Sequence, residues 1–144
     1  NFRKFSRDTS AVALAAFTYK TNEFLAQLVA DAFPSAQVLP TLGNNDSVCG
    51  DYMSQPGSEF LRSFATAWQP IVNRHGSASD FAESFARAGH YATYAPVIRA
   101  RVVVLTDVFL SSHYSNACDS GSARPGRDAI PWPHGVVTHR RSSG

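Results

Sequence analysis

The chain lacks long apolar runs and has little excess of one charge. None of its apolar stretches approaches the roughly 20 residues that a membrane-spanning helix needs, so we expect no transmembrane segment. The net charge is only +2. A nucleic-acid partner would be indicated by Lys and Arg clustered on one face or along one helix, and a charge this small does not indicate one.

Cysteine is scarce, and the first residues do not form a signal peptide. Cys49 and Cys118 are the two cysteines, and they fit either one disulfide in an oxidising compartment or two buried thiols in a reducing one. Residues 1–7 do not show the signal-peptide pattern of a charged start followed by an apolar centre and a small-residue cleavage site. We expect that any residues preceding Asn1 are missing from this sequence or were removed.

The composition is that of a globular protein with a single core. The chain has 144 residues, of which 44% are apolar and 17% charged. A chain of this length can bury roughly two thirds of its unfolded surface, which is enough for one domain.

The first half of the chain predicts a helix, a strand and a polar loop in that order. Apolar residues fall at helical spacing from Ala11 to Phe33, and Thr9 or Ser10 can cap the first turn. Pro34 ends this helix. The run from Ala36 to Leu42 predicts a strand that ends at Gly43, where turn-forming residues begin.

The second half predicts two more helical segments and two strands. A helix should begin near Ser58, with Phe60, Phe64 and Trp68 on its core-facing stripe. A short helical turn is predicted from Asp80 to Ala86, followed by strands at residues 89–94 and 101–105. The last of these is a nearly continuous apolar run, which suits the middle of a sheet. The predicted fold class is therefore α/β.

From residue 119 to residue 144 the composition changes to Gly, Ser, Pro and Arg. Such a segment can contribute little to a packed core, and we expect a low-complexity, disordered tail after a domain formed by residues 1–118. His134 and His139 lie in this tail and are expected to be solvated rather than metal ligands.

The candidate chemistry lies in Gly43-Asn44-Asn45-Asp46, which follows the strand predicted at residues 36–42. Open α/β sheets place ligand sites at the carboxyl ends of their strands. An Asn side chain offers a neutral hard oxygen to a divalent metal, and a neighbouring carboxylate can orient whatever lies beside it. Taken alone, the tetrapeptide is also a good turn sequence, and a plain turn is the simpler interpretation.

Several further motifs occur in a fixed order over roughly residues 12–118, and they favour the metal-ligand interpretation over a plain turn. They are Pro40-Thr41-Leu42-Gly43-Asn44-Asn45-Asp46, Cys49-Gly50-Asp51-Tyr52, Phe60-Leu61 with Trp68, Phe85-Ala86-Arg87-Ala88-Gly89-His90-Tyr91, and Arg101 to Ser111 with Tyr114, Asn116 and Cys118. Together they resemble the calcineurin-like metallophosphoesterases, and specifically the branch that is similar to acid sphingomyelinase.

The resemblance implies part of a two-sheet sandwich flanked by helices, incomplete at both ends. It also implies two divalent metal ions, Zn, Mn or Fe, which in such sites activate water and hold a phosphate for attack. Asn44 matches the Asn of the family's Gly-Asn-His-Asp/Glu motif, a metal ligand. Asp46 matches its acidic residue, which orients the His. Asn45 stands where the family has that His, and an amide can donate a hydrogen bond but cannot release a proton near neutral pH.

The family's opening Asp-x-His and Gly-Asp motifs would be expected before Asn1, and its later His and Gly-His-x-His motifs after Cys118, and the sequence has neither set at those places. The resemblance thus implies a fragment of an enzyme that hydrolyses a phosphomonoester or phosphodiester, with a sphingomyelin-like lipid or a nucleotide as substrate. We expect the isolated chain to be inactive. The alternatives are a non-catalytic α/β binding module, in which the loop is only a turn, and a fragment without function. The sequence does not predict an oligomeric state.

The branch also implies a secreted or periplasmic location. This habit, together with the position of Cys49 and Cys118 just beyond predicted strand ends, is the basis of the hypothesis that they form a disulfide. Two unpaired buried thiols remain the alternative.

Overall fold

The computed structural model describes residues 10–114, which form a small α/β fold. Within these residues, α1 (Ala11–Ala32), α2 (Glu59–Val72) and α3 (Phe81–Ala88) precede a hairpin of β1 (Tyr91–Ala95) and β2 (Ala100–Val104). A short 3₁₀-helix, Asp107–Leu110, follows. The predicted tail at residues 119–144 and Cys118 lie outside the described residues. No helix of the described part is long and apolar enough to cross a membrane.

Helix α1 confirms the first predicted helix. The Ser10 side chain caps it by accepting a hydrogen bond of 3.2 Å from the backbone N–H of Ala13, and the helix ends before Pro34. Its buried residues are the small Thr18 and Ala26, which let α1 lie close to α2. The larger apolar side chains of α1 lie elsewhere: Phe24 is 63% and Leu28 is 50% exposed.

Helices α2 and α3 carry the core. Helix α2 begins at Glu59, as predicted from the sequence, and Ser58 caps it by accepting a hydrogen bond from the N–H of Leu61. The Phe64 ring stacks on that of Phe85 with centroids 4.8 Å apart, and the Phe81 ring meets that of Tyr91 edge to face at 4.7 Å. Aromatic rings in these geometries contribute beyond the apolar area that they bury. The prediction that the aromatic stripe of α2 is core is therefore confirmed.

The hairpin confirms two predicted strands, but the second strand does not lie in the middle of a sheet as predicted. Strand β1 pairs with β2 antiparallel, with Tyr91 opposite Val104. Among residues 10–114, β2 has β1 as its one partner, and Val102, Val103 and Val104 are only half-buried. The apolar run does not form a central strand here, so that expectation is wrong for the described part of the chain.

The strand predicted at residues 36–42 is also wrong for the described part. This segment has no regular secondary structure. Side chains satisfy its backbone instead: the Tyr91 hydroxyl donates to the Pro40 carbonyl at 3.0 Å, and Arg74 donates to the Ala36 carbonyl at 3.0 Å. The Gln37 amide reaches the Val72 carbonyl at 2.9 Å and fixes the segment against the end of α2. A single apolar run does not become a strand without a partner strand, and no described strand pairs with this segment.

Candidate metal-binding loop

Residues 43–52 form the loop that carries the predicted site, between the segment at 36–42 and α2. The Tyr52 N–H donates to the Asn44 carbonyl at 2.8 Å, which joins the two ends of the loop. Gly50 and Tyr52 have φ angles of 119° and 54°, a conformation that the chain needs in order to reverse here. The prediction of a turn-rich loop is confirmed.

The side chain of Asn44 is held by Asp51. Its Nδ2 amide donates a 2.6 Å hydrogen bond to Oδ1 of Asp51. Asp51 thus stabilises the loop through this hydrogen bond. Because the N–H side of the carboxamide is committed, Oδ1 is fixed on the opposite side, and no hydrogen bond to Oδ1 is found among the described residues.

Asp46 closes the first turn of the loop. Its Oδ2 accepts a 2.8 Å hydrogen bond from the backbone N–H of Gly43. Gly43, Asn44, Asn45 and Asp46 are thus brought into one turn, in which Asn44, Asn45 and Asp46 are half-buried. In this structure the Asp46 carboxylate binds the backbone of its own turn.

The donor set fits one metal ligand and not a whole metal centre. Asn44 Oδ1 is a neutral oxygen with the chemistry that hard cations prefer. Within residues 10–114, no three His, Cys, Asp or Glu side chains lie close enough together to hold a metal ion. A two-metal centre at this loop would need ligands from outside the described part of the chain.

The cysteine and histidine side chains add little to this loop. Cys49 lies in it and is half-buried, while its proposed partner Cys118 is outside the described residues. His113 is exposed, and its ring centroid lies 5.5 Å from that of Tyr52. His90 is buried, and this burial lowers its pKa.

Two residues that the sequence argument passed over lie beside the loop. Thr18 and Asn22 of α1 line a cavity that Asp46 also lines. They are four residues apart and therefore share one face of the helix. A polar pair at this spacing, on the same face as the apolar Leu25, is the signal that could have found them.

Comparison with known proteins adds no relative: no protein-family model matches the chain, and no curated protein is significantly similar to it.

Proposed function

We propose that residues 10–114 belong to a larger metal-dependent phosphoesterase, in which the loop at residues 43–52 supplies one of several sets of metal ligands. The complete enzyme would hydrolyse a phosphomonoester or phosphodiester. In this proposal the described helices and hairpin are part of a two-sheet sandwich flanked by helices.

The observation that carries the proposal is the 2.6 Å hydrogen bond that Asn44 Nδ2 donates to Oδ1 of Asp51. A metal ligand must present its oxygen in a fixed direction, and ligands are commonly held by a second residue that binds their other polar atom. Asp51 does this for Asn44. The same hydrogen bond would also close a plain turn, so the two interpretations differ in whether Asn44 Oδ1 binds a metal.

Each residue of the motif then has a role that its chemistry allows. Asn44 would hold a metal through Oδ1. Asn45 would donate a hydrogen bond to a phosphate oxygen, without acting as a proton donor. Asp46 would keep the turn closed through the Gly43 N–H. Two divalent metals, when bound, would supply an activated water and a clamp on the phosphate.

The outer face of α1 supports the view that more protein packs here. Phe24 and Leu28 are exposed by 63% and 50%. A monomer seldom leaves neighbouring large apolar side chains of one helix this exposed to water. A larger domain that continues over α1 would cover them, and the same domain could bring the missing ligands to the loop.

Paramagnetic Mn²⁺ tests the loop directly, because it broadens NMR signals near its binding site even when binding is weak. We expect substoichiometric Mn²⁺ to broaden the backbone amide signals of Gly43 and Asn45 in the 144-residue chain. Asn44→Ala should remove this selective broadening. Asn45→Ala, a neighbouring change in the same loop, is the matched control and should keep it.

The alternative is a non-catalytic α/β module in which the loop is only a turn. It predicts no selective broadening, or broadening that persists in Asn44→Ala because the carboxylates of Asp46 and Asp51 attract the ion without help from Asn44. Either result would remove the assignment of Asn44 as a ligand.

A further inference from the structure

The turn that joins β1 to β2, here called the hairpin tip, carries two exposed apolar side chains. It consists of Pro96, Val97, Ile98 and Arg99, and the Arg99 N–H donates to the Pro96 carbonyl at 3.3 Å. The side chains of Val97 and Ile98 are 93% and 66% exposed. They occupy the two central positions of the turn, where Gly, Asn, Asp, Pro and Ser are the usual residues. The needs of the turn therefore do not account for two β-branched apolar residues here.

The rest of the described fold does not cover the hairpin tip. Burial decreases along β1 toward the turn: Tyr91 is fully buried, whereas Tyr94, three residues further on, is 37% exposed. Tyr91 is the residue through which β1 contacts the ring of Phe81 in α3. The hairpin is thus anchored in the core at one end, and Val97 and Ile98 lie at the other end, in solvent.

The residues that flank the hairpin tip are aromatic and basic. Tyr94 lies opposite Arg101 in the strand pair, and directly opposite residues lie on the same side of a hairpin. Arg99 and Arg101 are both exposed, and within residues 10–114 neither guanidinium group forms a hydrogen bond or an ion pair. Asp80 lines a surface cavity together with Arg101 but forms no ion pair with it. Two positive charges thus remain beside the apolar tip.

This combination suits the surface of an anionic membrane. Apolar side chains are favoured at the boundary of the acyl chains, tyrosine rings are common at the level of the headgroups, and arginines are attracted to acidic lipids. A nucleic acid would attract the same arginines, but its phosphate backbone offers no apolar phase for Val97 and Ile98. The apolar pair therefore favours a lipid partner over a nucleic acid.

We propose that the hairpin tip binds anionic lipid surfaces, with Val97 and Ile98 among the lipids and Arg99 and Arg101 at the headgroups. An anchor of two apolar side chains and two charges gives peripheral, reversible binding rather than insertion. The proposal does not rest on the proposed phosphoesterase function, because no metal and no residue of the loop at 43–52 takes part in it.

Sedimentation with lipid vesicles tests the proposal on the 144-residue chain. One set of vesicles contains phosphatidylcholine alone, and the other contains about one third phosphatidylserine. We expect roughly twentyfold tighter binding to the second set, because each of two arginines contributes roughly fivefold. Raising the salt concentration from about 0.1 M to about 0.5 M should weaken this binding. Equal binding to both sets, or binding to neither, would overturn the proposal.

Two pairs of substitutions separate the apolar and the charged contributions. Val97→Ser combined with Ile98→Ser keeps both arginines and should weaken binding about tenfold or more. Arg99→Asn combined with Arg101→Gln should remove the preference for phosphatidylserine, and Asn suits the φ of 50° at Arg99. Arg99→Lys combined with Arg101→Lys keeps the charges and should keep the preference. Unchanged binding in the serine variant would show a purely electrostatic contact and overturn the proposal.

Helix α1 provides the matched controls, since it is the other described element with exposed large apolar residues. Leu28 is 50% exposed there, and the exposed Glu23 makes its surroundings less suited to an anionic membrane. Leu28→Ser and Lys20→Gln repeat the apolar and the charge change away from the hairpin tip, and neither should alter binding. A loss of binding in Leu28→Ser, with parental binding in the serine variant of the tip, would place the membrane contact on α1 and overturn the proposal.

Val97→Trp decides the question if the serine variant does not fold. It adds apolar surface at the hairpin tip, so vesicle binding should become tighter than in the parent. Lipids brominated on their acyl chains should quench its fluorescence more strongly than that of the parent, whose tryptophans are Trp68 and Trp132. Parental affinity together with parental quenching would show that the tip stays in water, which would overturn the proposal.

Discussion

Asn44 is tied at two points to the far end of its loop: its Nδ2 lies 2.6 Å from Oδ1 of Asp51, and its carbonyl accepts the N–H of Tyr52 at 2.8 Å. The side-chain hydrogen bond and the backbone hydrogen bond therefore hold the two ends of the loop together. The first uses the Asn44 side-chain amide and the second uses its main-chain carbonyl, so a mutation of Asp51 removes the first and leaves the groups of the second in place.

Replacing Asp51 should loosen the loop when the new side chain has no hydrogen-bond acceptor. Asp51→Leu removes the acceptor, so we expect a loss of about 1 kcal/mol in the free energy of unfolding. Hydrogen exchange at the Tyr52 N–H should become about fivefold faster, the factor that corresponds to this free energy. Asp51→Asn retains an oxygen acceptor and should lie close to the parent in both measurements. Equal exchange rates in the parent and Asp51→Leu would mean that the backbone hydrogen bond from Tyr52 to Asn44 closes the loop without the Asp51 side chain.

Among the glycines of residues 10–114, Gly89 should be the least tolerant of a side chain. It has a φ of 67° at the end of α3, and an added Cβ would lie 2.8 Å from a Phe109 ring carbon and 3.2 Å from Thr106 Oγ1. Gly89→Ala combines a left-handed conformation, about 1–2 kcal/mol, with overpacking, about 1–3 kcal/mol. We expect it to lower the free energy of unfolding by about 2–5 kcal/mol.

Gly76→Ala is the matched control, because Gly76 has a φ of 69° and nothing lies within 4 Å of an added Cβ. It should cost only about 1–2 kcal/mol in urea unfolding. Similar losses for the two variants would show that Phe109 and Thr106 move aside freely.

His90 should make stability fall on mild acidification. Burial lowers the pKa of His90 from its ordinary 6.5; a backbone hydrogen bond with Ala88 opposes this, and the charge of Arg87 adds to it. As the pH falls through about 6.5, the unfolded chain takes up a proton at this His before the folded chain does, so the folded state loses stability in that range.

The test compares melting temperatures at pH 7.5 and pH 5.5. We expect His90→Gln to show a smaller decrease between the two values than the parent. His75→Gln, a change at an exposed histidine, should show the full parental decrease. A parental decrease in His90→Gln would assign the acid sensitivity to other groups.

The helices could be predicted because their signals are local. Ser10 caps α1 as its position suggested, α2 begins next to Ser58 as expected, and the spacing of Phe60, Phe64 and Trp68 predicts the buried face of α2. Such features depend on residues within one or two turns of each other, so a single sequence contains them.

The segment at residues 36–42 and the face of α1 could not be predicted in the same way. A strand requires a partner elsewhere in the chain, and the pattern at Val38 and Leu39 does not say whether one exists. The apolar stripe of α1 likewise does not identify its neighbour, and α2 packs on the Thr18 and Ala26 face instead. In the loop, residue types predicted the turn, whereas the pairing of Asn44 with Asp51 depends on how the loop closes.

The proposed bridge between Cys49 and Cys118 stays a prediction that chemistry can test. Closing a loop of roughly 70 residues would stabilise the fold by about 4 kcal/mol if loop-closure entropy dominates. We expect the non-reduced, denatured chain to gain no mass on alkylation, and the reduced chain to gain two alkyl groups. Two groups added without reductant would show that both thiols are unpaired.

In a complete version of the protein, changes at Asn44 and at Asn45 should have different effects. Asn44→Ala removes a proposed metal ligand, so we expect lower metal content by mass spectrometry and a strong decrease in turnover of phosphodiesters. Asn45→His should leave metal content nearly unaltered. It should raise the rate for substrates with poor leaving groups, because an imidazolium can give the departing oxygen a proton that an amide cannot.

For a good leaving group such as nitrophenolate, which needs no proton, the parent and Asn45→His should differ little. The comparison of the two substrate types is thus the internal control for proton donation. Parental metal content and parental activity in Asn44→Ala would mean that the loop is a turn, and the hydrogen bond between Asn44 and Asp51 would then serve only to close it.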